Sequence, residues 1–471
     1  MDYRAPQGKQ LTIAIARKKA TDPGRRRGIM LTNPGGPGAE GLSLTLALER
    51  QPAEAVYDTI GMDPRGVGKS TPLFCDKTDE AALPSRPTEE GLPKYVAKAK
   101  AAETACANGG GDLRKHITSM NTARDMDLVR RVLGEEKISY LGFSYGTFLG
   151  PLYGEMFPEH LDRMVLDSAQ DPRQTWRQVE QADVEAHRAN VAAWKQWTAD
   201  RDKTFGLGTT PYEIQATLDR FATTLRSKQF GDLDLSTFDN AVGTGARYRS
   251  LWSAFAWTLR DLLPAINGAD PDDEAIKAMA LLARPDGDDG NAVATPPTEA
   301  DQKPNGTYQA ILCDWQWPAN PEDYYADMRK VAEEIPYGDA VSSVSPNNCM
   351  FAAGRDPMTA VGSRKYPAGV VVQGEGDTQT AYTSGSAAAD HLDMPLITVQ
   401  NSGIHGYYGS RGNTCVDTAV NAYLIDGKLP DRRTTCAAGV DTLPDIAPGT
   451  TGGPPAQRPD TSIEELLNKV K

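Results

Sequence analysis

Two rhythms of apolar and polar positions alternate along the first third of this chain. Near the start, "LTIAIAR" alternates at the two-residue period of a strand. "GIMLTNPGGPG" reads as a buried strand, Ile29 to Thr32, that runs into a glycine-rich loop, and "VYDTIGMDPRGVG" repeats the pattern at Val56 to Met62. "TARDMDLVRRVLG", Thr122 to Gly134, has helical spacing and a glycine stop. "KISYLGFS" predicts a strand entering a turn at Ser144, "YGTFLGPLYGEMF" the helix that leaves it, and "LDRMVLDSA" the next strand. Strands alternating with helices predict an α/β fold, a mostly parallel sheet flanked by helices.

After Pro172 the rhythm changes. Residues 173–366 read as helical and polar, with tryptophans at 176, 194, 197, 252, 257, 315 and 317 and a loop-like break, "RPDGDDGNAVATPPTEADQKPNG". The strand pattern resumes in "AGVVVQGEGD" and "MPLITVQNSGIHG". The expected organisation is one α/β core, residues 1–172 and 367–442, split by a large helical lid. Residues 443–471 are a Pro/Gly-rich linker followed by "TSIEELLNKVK", a short helix with one apolar face. There Thr461 and Glu464 form the expected capping box. No internal repeat is expected.

Composition narrows the function. A formal charge of -13 argues against nucleic acid, whose phosphates select basic surfaces. No apolar run approaches the roughly 20 residues that span a bilayer. The start, "MDYRAPQGKQ", has neither the basic nor the apolar region of a signal peptide, which suits a mature or trimmed form, with a true cytosolic start as the alternative. Six cysteines, 75, 106, 313, 349, 415 and 436, show no C-x-x-C and no histidine at metal spacing, so no metal is expected. An even, scattered set suits three disulfides in an oxidising compartment; six buried thiols are the competing arrangement. Sequence neighbours are the favoured pairs: Cys75–Cys106, Cys313–Cys349 and Cys415–Cys436.

Chemistry enters at Gly142-Phe143-Ser144-Tyr145-Gly146, which fits the G-x-S-x-G nucleophile elbow. Alone the pentapeptide is weak. Acyl transfer by serine also needs a base, a carboxylate to orient it and N–H groups for the oxyanion. In this architecture the order is serine, acid, histidine, each on a loop after a strand. Of the five histidines only His405 follows a strand inside a glycine-bounded loop, "SGIHGYYG"; 116, 160, 187 and 391 are expected to be packing or surface residues. Asp377, just past "VVVQGEG", is the expected acid, with Glu375 as its competitor. "NPGGPG", Asn33 to Gly38, can bring backbone N–H groups to a substrate oxyanion, and Tyr145 supplies the second donor. "DPRGVGKST" ends like a phosphate-binding loop, but Asp63 stands where glycine is required, so a tight loop is expected instead.

"NPGGPG", "DPRGVGKST", the stretch from "ARDMDLVRRVLG" through "SYGTFLGPLYGEMFPEHLDRMVLDS", and "GNTCVDTAVNAYLIDGKLP" resemble secreted actinobacterial tripeptidyl aminopeptidases. These are serine exopeptidases related to proline iminopeptidases, with the α/β-hydrolase fold. The resemblance covers about half the chain. It implies Ser144 as nucleophile, Asp377 as acid, His405 as base, and Gly36 with Tyr145 in the oxyanion hole. It also implies no cofactor and a secreted location. Three departures stand out: "DTQTAY" in place of D-P-x-T-P after the acid, "GIHG" in place of Gly-His-Gly, and "CMFAAGRDP" where the family has C…WP. The first two reshape loops around an intact triad, and the third touches the lid.

The expected function is a serine exopeptidase that releases short peptides or single residues from free N-termini. An esterase, lactonase or amide hydrolase acting on a small metabolite is the alternative, and a non-catalytic binding protein a distant one. An exopeptidase must hold a substrate ammonium, which calls for carboxylates. Glu180, Asp183 and Glu185 in "WRQVEQADVEAH" are the candidates, with Glu180 and Asp183 on one helix face; a solvated face is the bland reading. Oligomeric state and side-chain preference stay open.

Overall fold

The computed structural model describes residues 1–78, 83–284, 305–352, 358–362, 365–446, 448 and 461–471. Most of the expected loop-like break, the end of "CMFAAGRDP" and most of the Pro/Gly linker lie outside the described residues.

Eight strands form one sheet: β1 (Ile15–Lys18), β2 (Gly28–Asn33), β3 (Tyr57–Met62), β4 (Ile138–Phe143), β5 (Leu161–Asp167), β6 (Val370–Gly374), β7 (Leu396–Val399) and β8 (Arg433–Cys436). Their spatial order is β1-β3-β2-β4-β5-β6-β7-β8. β1 runs antiparallel to β3, and every other neighbouring pair is parallel. β2, β3 and β6 are buried at every position, which is why they read as continuous apolar runs. The period-2 geometry of a strand still sorts them by face. Met30, Leu141, Val165, Val372 and Val399 join one core, while Ile29, Leu31, Tyr140, Met164 and Val371 join the other.

Four helices carry the argument: α1 (Leu92–Arg114), α2 (Ser119–Val132), α3 (Gly146–Met156) and α4 (Trp176–Ala199). α2 and α3 cover one sheet face through Ala123, Met126, Phe148, Leu149 and Leu152. Between β5 and β6 the described residues are largely helical, including Pro211–Leu225, Leu235–Arg247, Trp252–Ile266, Asp273–Leu282 and Pro321–Glu334. The tryptophans explain how so polar a stretch closes a core. Trp194 packs on Phe255 at 4.7 Å, Trp197 on Trp252 at 5.7 Å, and Phe205 on Trp257 at 5.6 Å between ring centroids. Each such pair adds about 1 kcal/mol beyond the area it buries.

Three local expectations need correction. The capping box uses Ser462 and Glu465, not Thr461 and Glu464: Ser462 Oγ accepts from the Glu465 N–H and Glu465 Oε2 from the Ser462 N–H, both at 3.2 Å. The resulting helix, Ile463–Val470, buries Ile463, Leu467 and Val470. β1 is shorter than "LTIAIAR", because the N–H groups of Thr12 and Ala14 are taken by the hydroxyls of Thr71 and Ser70. β8 was not anticipated; its residues "RTTC" are polar and mostly exposed at the sheet edge, so no apolar alternation marks them.

"DPRGVGKST" is the tight loop expected. Asp63 Oδ1 accepts from the N–H groups of Gly41 and Leu42, and Oδ2 from that of Lys69. Arg65 is buried in a bidentate pair with Asp125, both contacts 2.6 Å. The three disulfides are Cys75–Cys106, Cys313–Cys349 and Cys415–Cys436, as expected. They suit an extracellular or envelope compartment. Among the described residues no helix is long and apolar enough to cross a membrane.

Candidate active site

Ser144 follows β4 and precedes α3 with φ 55°, in the left-handed region that side chains rarely adopt. Its flanking glycines are required by close approach. A Cβ on Gly142 would stand 2.5 Å from the Gly146 carbonyl oxygen, and one on Gly146 2.8 Å from Asn33 Oδ1. The chain therefore turns sharply enough to lift the serine off the sheet. Gly35, in the loop after β2, lies against the same turn; a Cβ there would meet Ser144 Cβ at 2.7 Å. Asn33 Oδ1 accepts from the Gly35 N–H at 2.9 Å and so shapes that loop.

Ser144, Gly36 and His405 line one cavity of about 340 Å³. Gly36 is thus brought to the serine. Tyr145 caps α3 and buries its ring, with the hydroxyl on Ser119 Oγ at 2.8 Å.

His405, in the loop after β7, places Nδ1 2.7 Å from Asp377 Oδ2. Nδ1 therefore carries the proton and Nε2 keeps a free lone pair. Asp377 is fully buried in the loop after β6. It also accepts from the Gln379 N–H at 2.9 Å and from Thr380 Oγ1 at 3.0 Å, with Arg247 Nη2 3.6 Å from its other oxygen. Burial pulls its pKa up, but His405, Arg247 and the Gln379 N–H outweigh that and hold it below the ordinary carboxylate value. Glu375 is exposed and accepts from the Asn401 N–H, away from His405. Three other histidines make contacts outside the Ser144–His405–Asp377 group: His160 on the Glu136 carbonyl, His391 on that of Val361, and His187 on Asp339.

The opposite wall of the cavity comes from α4. Its N-terminus is fixed by a capping box, Thr175 with Gln178, and Trp176, Val179, Glu180 and Asp183 face the cavity. Asp183 Oδ1 accepts from the Ala381 N–H at 2.8 Å. Glu180 Oε2 is buried and has no hydrogen-bond partner among the described residues. Burial, then the charge of Asp339, pushes the Glu180 carboxyl well above its ordinary pKa; burial, then Asp377, does the same to Asp183. Glu185 is not part of this wall. Its side chain is 61% exposed and paired with Arg188 at 3.0 Å, because five residues of helix turn it away from Glu180.

One cavity residue, Asp339, and two residues that support the site, His187 and Arg247, have roles the sequence did not assign. Asp339, after the Pro321–Glu334 helix, faces the same cavity and is oriented by His187 Nε2 at 3.0 Å. The His187 contact holds the exposed Asp339 carboxyl below the ordinary value. Nothing local in "IPYGDAVSS" marks it. His187 was legible in principle: 180, 183, 187 and 190 recur at helical spacing, and Asn190 Nδ2 donates to the Gly376 carbonyl beside Asp377. Arg247, from the Leu235–Arg247 helix, had no such signal.

Comparison with known proteins places the chain in a family. Residues 28–263 match the α/β-hydrolase fold family, and residues 336–436 match the family described as TAP-like protein. The chain is similar to tripeptidyl aminopeptidase of Streptomyces lividans, 31% identical with 93% of this chain and 82% of the relative covered. It is also similar to carboxylesterase B of Mycobacterium tuberculosis, 31% identical with 93% and 85% covered. Serine protease Hip1 of the same organism is 28% identical, with 93% and 85% covered. The chain belongs to the TAP-like family of α/β-hydrolases and is a serine hydrolase.

Proposed function

We propose that the protein is a serine exopeptidase that releases short peptides, tripeptides foremost, from free N-termini. The carrying observation is the trio of carboxylates, Glu180, Asp183 and Asp339, on the cavity that also holds Ser144 and His405. Two of the three have pKa values raised by burial, and no cation of the chain outweighs it. A substrate ammonium supplies one. Similarity to tripeptidyl aminopeptidase supports the length of the released fragment.

In this reading Ser144 Oγ attacks the scissile carbonyl carbon while its proton passes to His405 Nε2. The oxyanion is held by the Tyr145 and Gly36 N–H groups. The intermediate then expels the amine, which takes the proton from His405 as the C–N bond breaks. Water repeats the sequence on the acyl-enzyme and releases the peptide acid. Asp377 stays ionised and steadies the imidazolium through Nδ1–H. The helical stretch 173–366 serves as the lid that carries the amine site, on a core of 1–172 and 367–442 followed by the 443–471 tail. No cofactor takes part. The disulfides support a secreted protein.

Similarity to carboxylesterase B supports a second reading, an esterase or amide hydrolase of small molecules. A matched pair of chromogenic tripeptide amides, one with a free amine and one N-acetylated, separates the two. The free amine should be preferred by at least about 100-fold in kcat/KM, some 3 kcal/mol. Equal cleavage of both hands the site to the second reading.

A further inference from the structure

Asp167 is a buried carboxylate that the reaction scheme above leaves unused. It ends β5, between the two strands that deliver Ser144 and Asp377: it pairs with Phe143 of β4 and with Val372 of β6. Its main-chain carbonyl accepts from the Ser144 N–H at 3.1 Å. Its side chain reaches the third strand-end loop, where Oδ2 accepts from the N–H groups of Tyr407 at 2.9 Å and Tyr408 at 2.7 Å. These are the second and third residues after His405. The next residue, Ser168, takes the Gly406 N–H on its hydroxyl at 2.8 Å. One dipeptide therefore ties the nucleophile turn to the loop of the base.

We infer that Asp167, as an anion, is a positioning residue that holds the His405 loop in register with the Ser144 turn. This rests on the triad reading given above. A neutral acceptor would satisfy two N–H groups, so the choice of a fully buried carboxylate needs a reason, because a buried charge is costly. Its second oxygen, Oδ1, is buried with no hydrogen-bond partner among the described residues. The charges that face it come from two loops. His405 and the Tyr407 hydroxyl lie on its own partner loop, and Asp377 lies after β6; the turn after β4 contributes the neutral Ser144. An anion at Asp167 aligns the imidazole through the loop and favours its cationic form during turnover. Burial pushes the Asp167 carboxyl up to about 6, against the pull of the two N–H groups and His405. The strut therefore weakens as pH falls through that value.

The test uses a simple ester, which leaves the amine site silent. In the wild type, kcat should fall on the acid side more steeply than one proton allows. Asp167→Asn should label with a serine-directed phosphonate, show about a tenfold lower kcat per labelled site with KM within twofold, and return the limb to one proton. A merely structural residue would lower the labelled fraction without changing either readout. An unchanged kcat per site, an unchanged limb in the variant, or a one-proton limb in the wild type overturns the inference; the wild-type profile decides it if the variant fails to fold. Failure of the phosphonate to label wild-type Ser144 would instead remove the triad reading.

Discussion

Asp183 faces the cavity and Asp377 lies buried behind His405; the two repel one another and are shifted in opposite directions. The difference lies in where each finds its counter-charge. Asp377 sits in a strand-end loop whose partners are all supplied by the chain: His405, Arg247, the Gln379 N–H and Thr380. Asp183, with Glu180, sits on α4 and has no cation of its own that outweighs burial. A carboxylate whose partners are built in is finished as a catalytic part. In the proposed function, one left short of a cation awaits a charge that arrives from outside, and the two regions divide the work of reaction and recognition accordingly.

The most severe way to break that division is to remove the attacking oxygen. Ser144→Ala should lower kcat by roughly 10³-fold or more on amides and esters alike, with the fold retained, since only the transition state is affected. Circular dichroism and the phosphonate label check both halves. Near-normal turnover in the variant would place the reaction elsewhere in the cavity.

The two regions were also unequally legible. β2, β3 and β4 are buried on both faces, so each shows as an apolar run ending in glycine or a turn, and the elbow glycines follow from steric contact with immediate neighbours. The proposed triad follows the order of the strands, which is why Asp377 and His405 stood out in the sequence. β8 could not, because a polar edge strand is defined by its neighbour β7 and not by its own pattern. Asp339 and Arg247 were invisible for a related reason: their place in the site is set by the packing of helices far apart in the chain. On α4 itself, helical spacing alone brought Glu180 and Asp183 together.

A more selective break targets recognition. Glu180→Gln removes one of the carboxylates while keeping its shape. It should cost about 30-fold in kcat/KM on free-amine peptides, roughly 2 kcal/mol, and less than twofold on an ester. The sign of the pH effect follows from the raised pKa values. As pH falls through them, Glu180 and Asp183 take up protons and stop attracting the ammonium. The acid limb of kcat/KM for a free-amine peptide should therefore lie at higher pH than the limb for an ester. In Glu180→Gln the two limbs should draw together. Equal losses on both substrates would mean that Glu180 supports the fold of the cavity and not the amine.

The smallest effect is the sharpest discriminator, because it concerns an acid on the same helix. Glu185 follows Glu180 by five residues, which rotates it by about 140° around the α4 axis. Its carboxylate is exposed and paired with Arg188 at 3.0 Å, and Arg188 also reaches Glu334 at 2.7 Å. Surface pairs of this kind contribute about 0–1 kcal/mol and are screened by salt. Glu185→Gln should therefore leave kcat/KM within about twofold on free-amine, acetylated and ester substrates, and move the thermal midpoint by no more than about 2 °C. If acidity of the lid as a whole drew the substrate in, Glu185→Gln and Glu180→Gln would lose comparable activity, and both losses would shrink together in high salt. A loss confined to Glu180, and persisting in salt, assigns recognition to one face of α4.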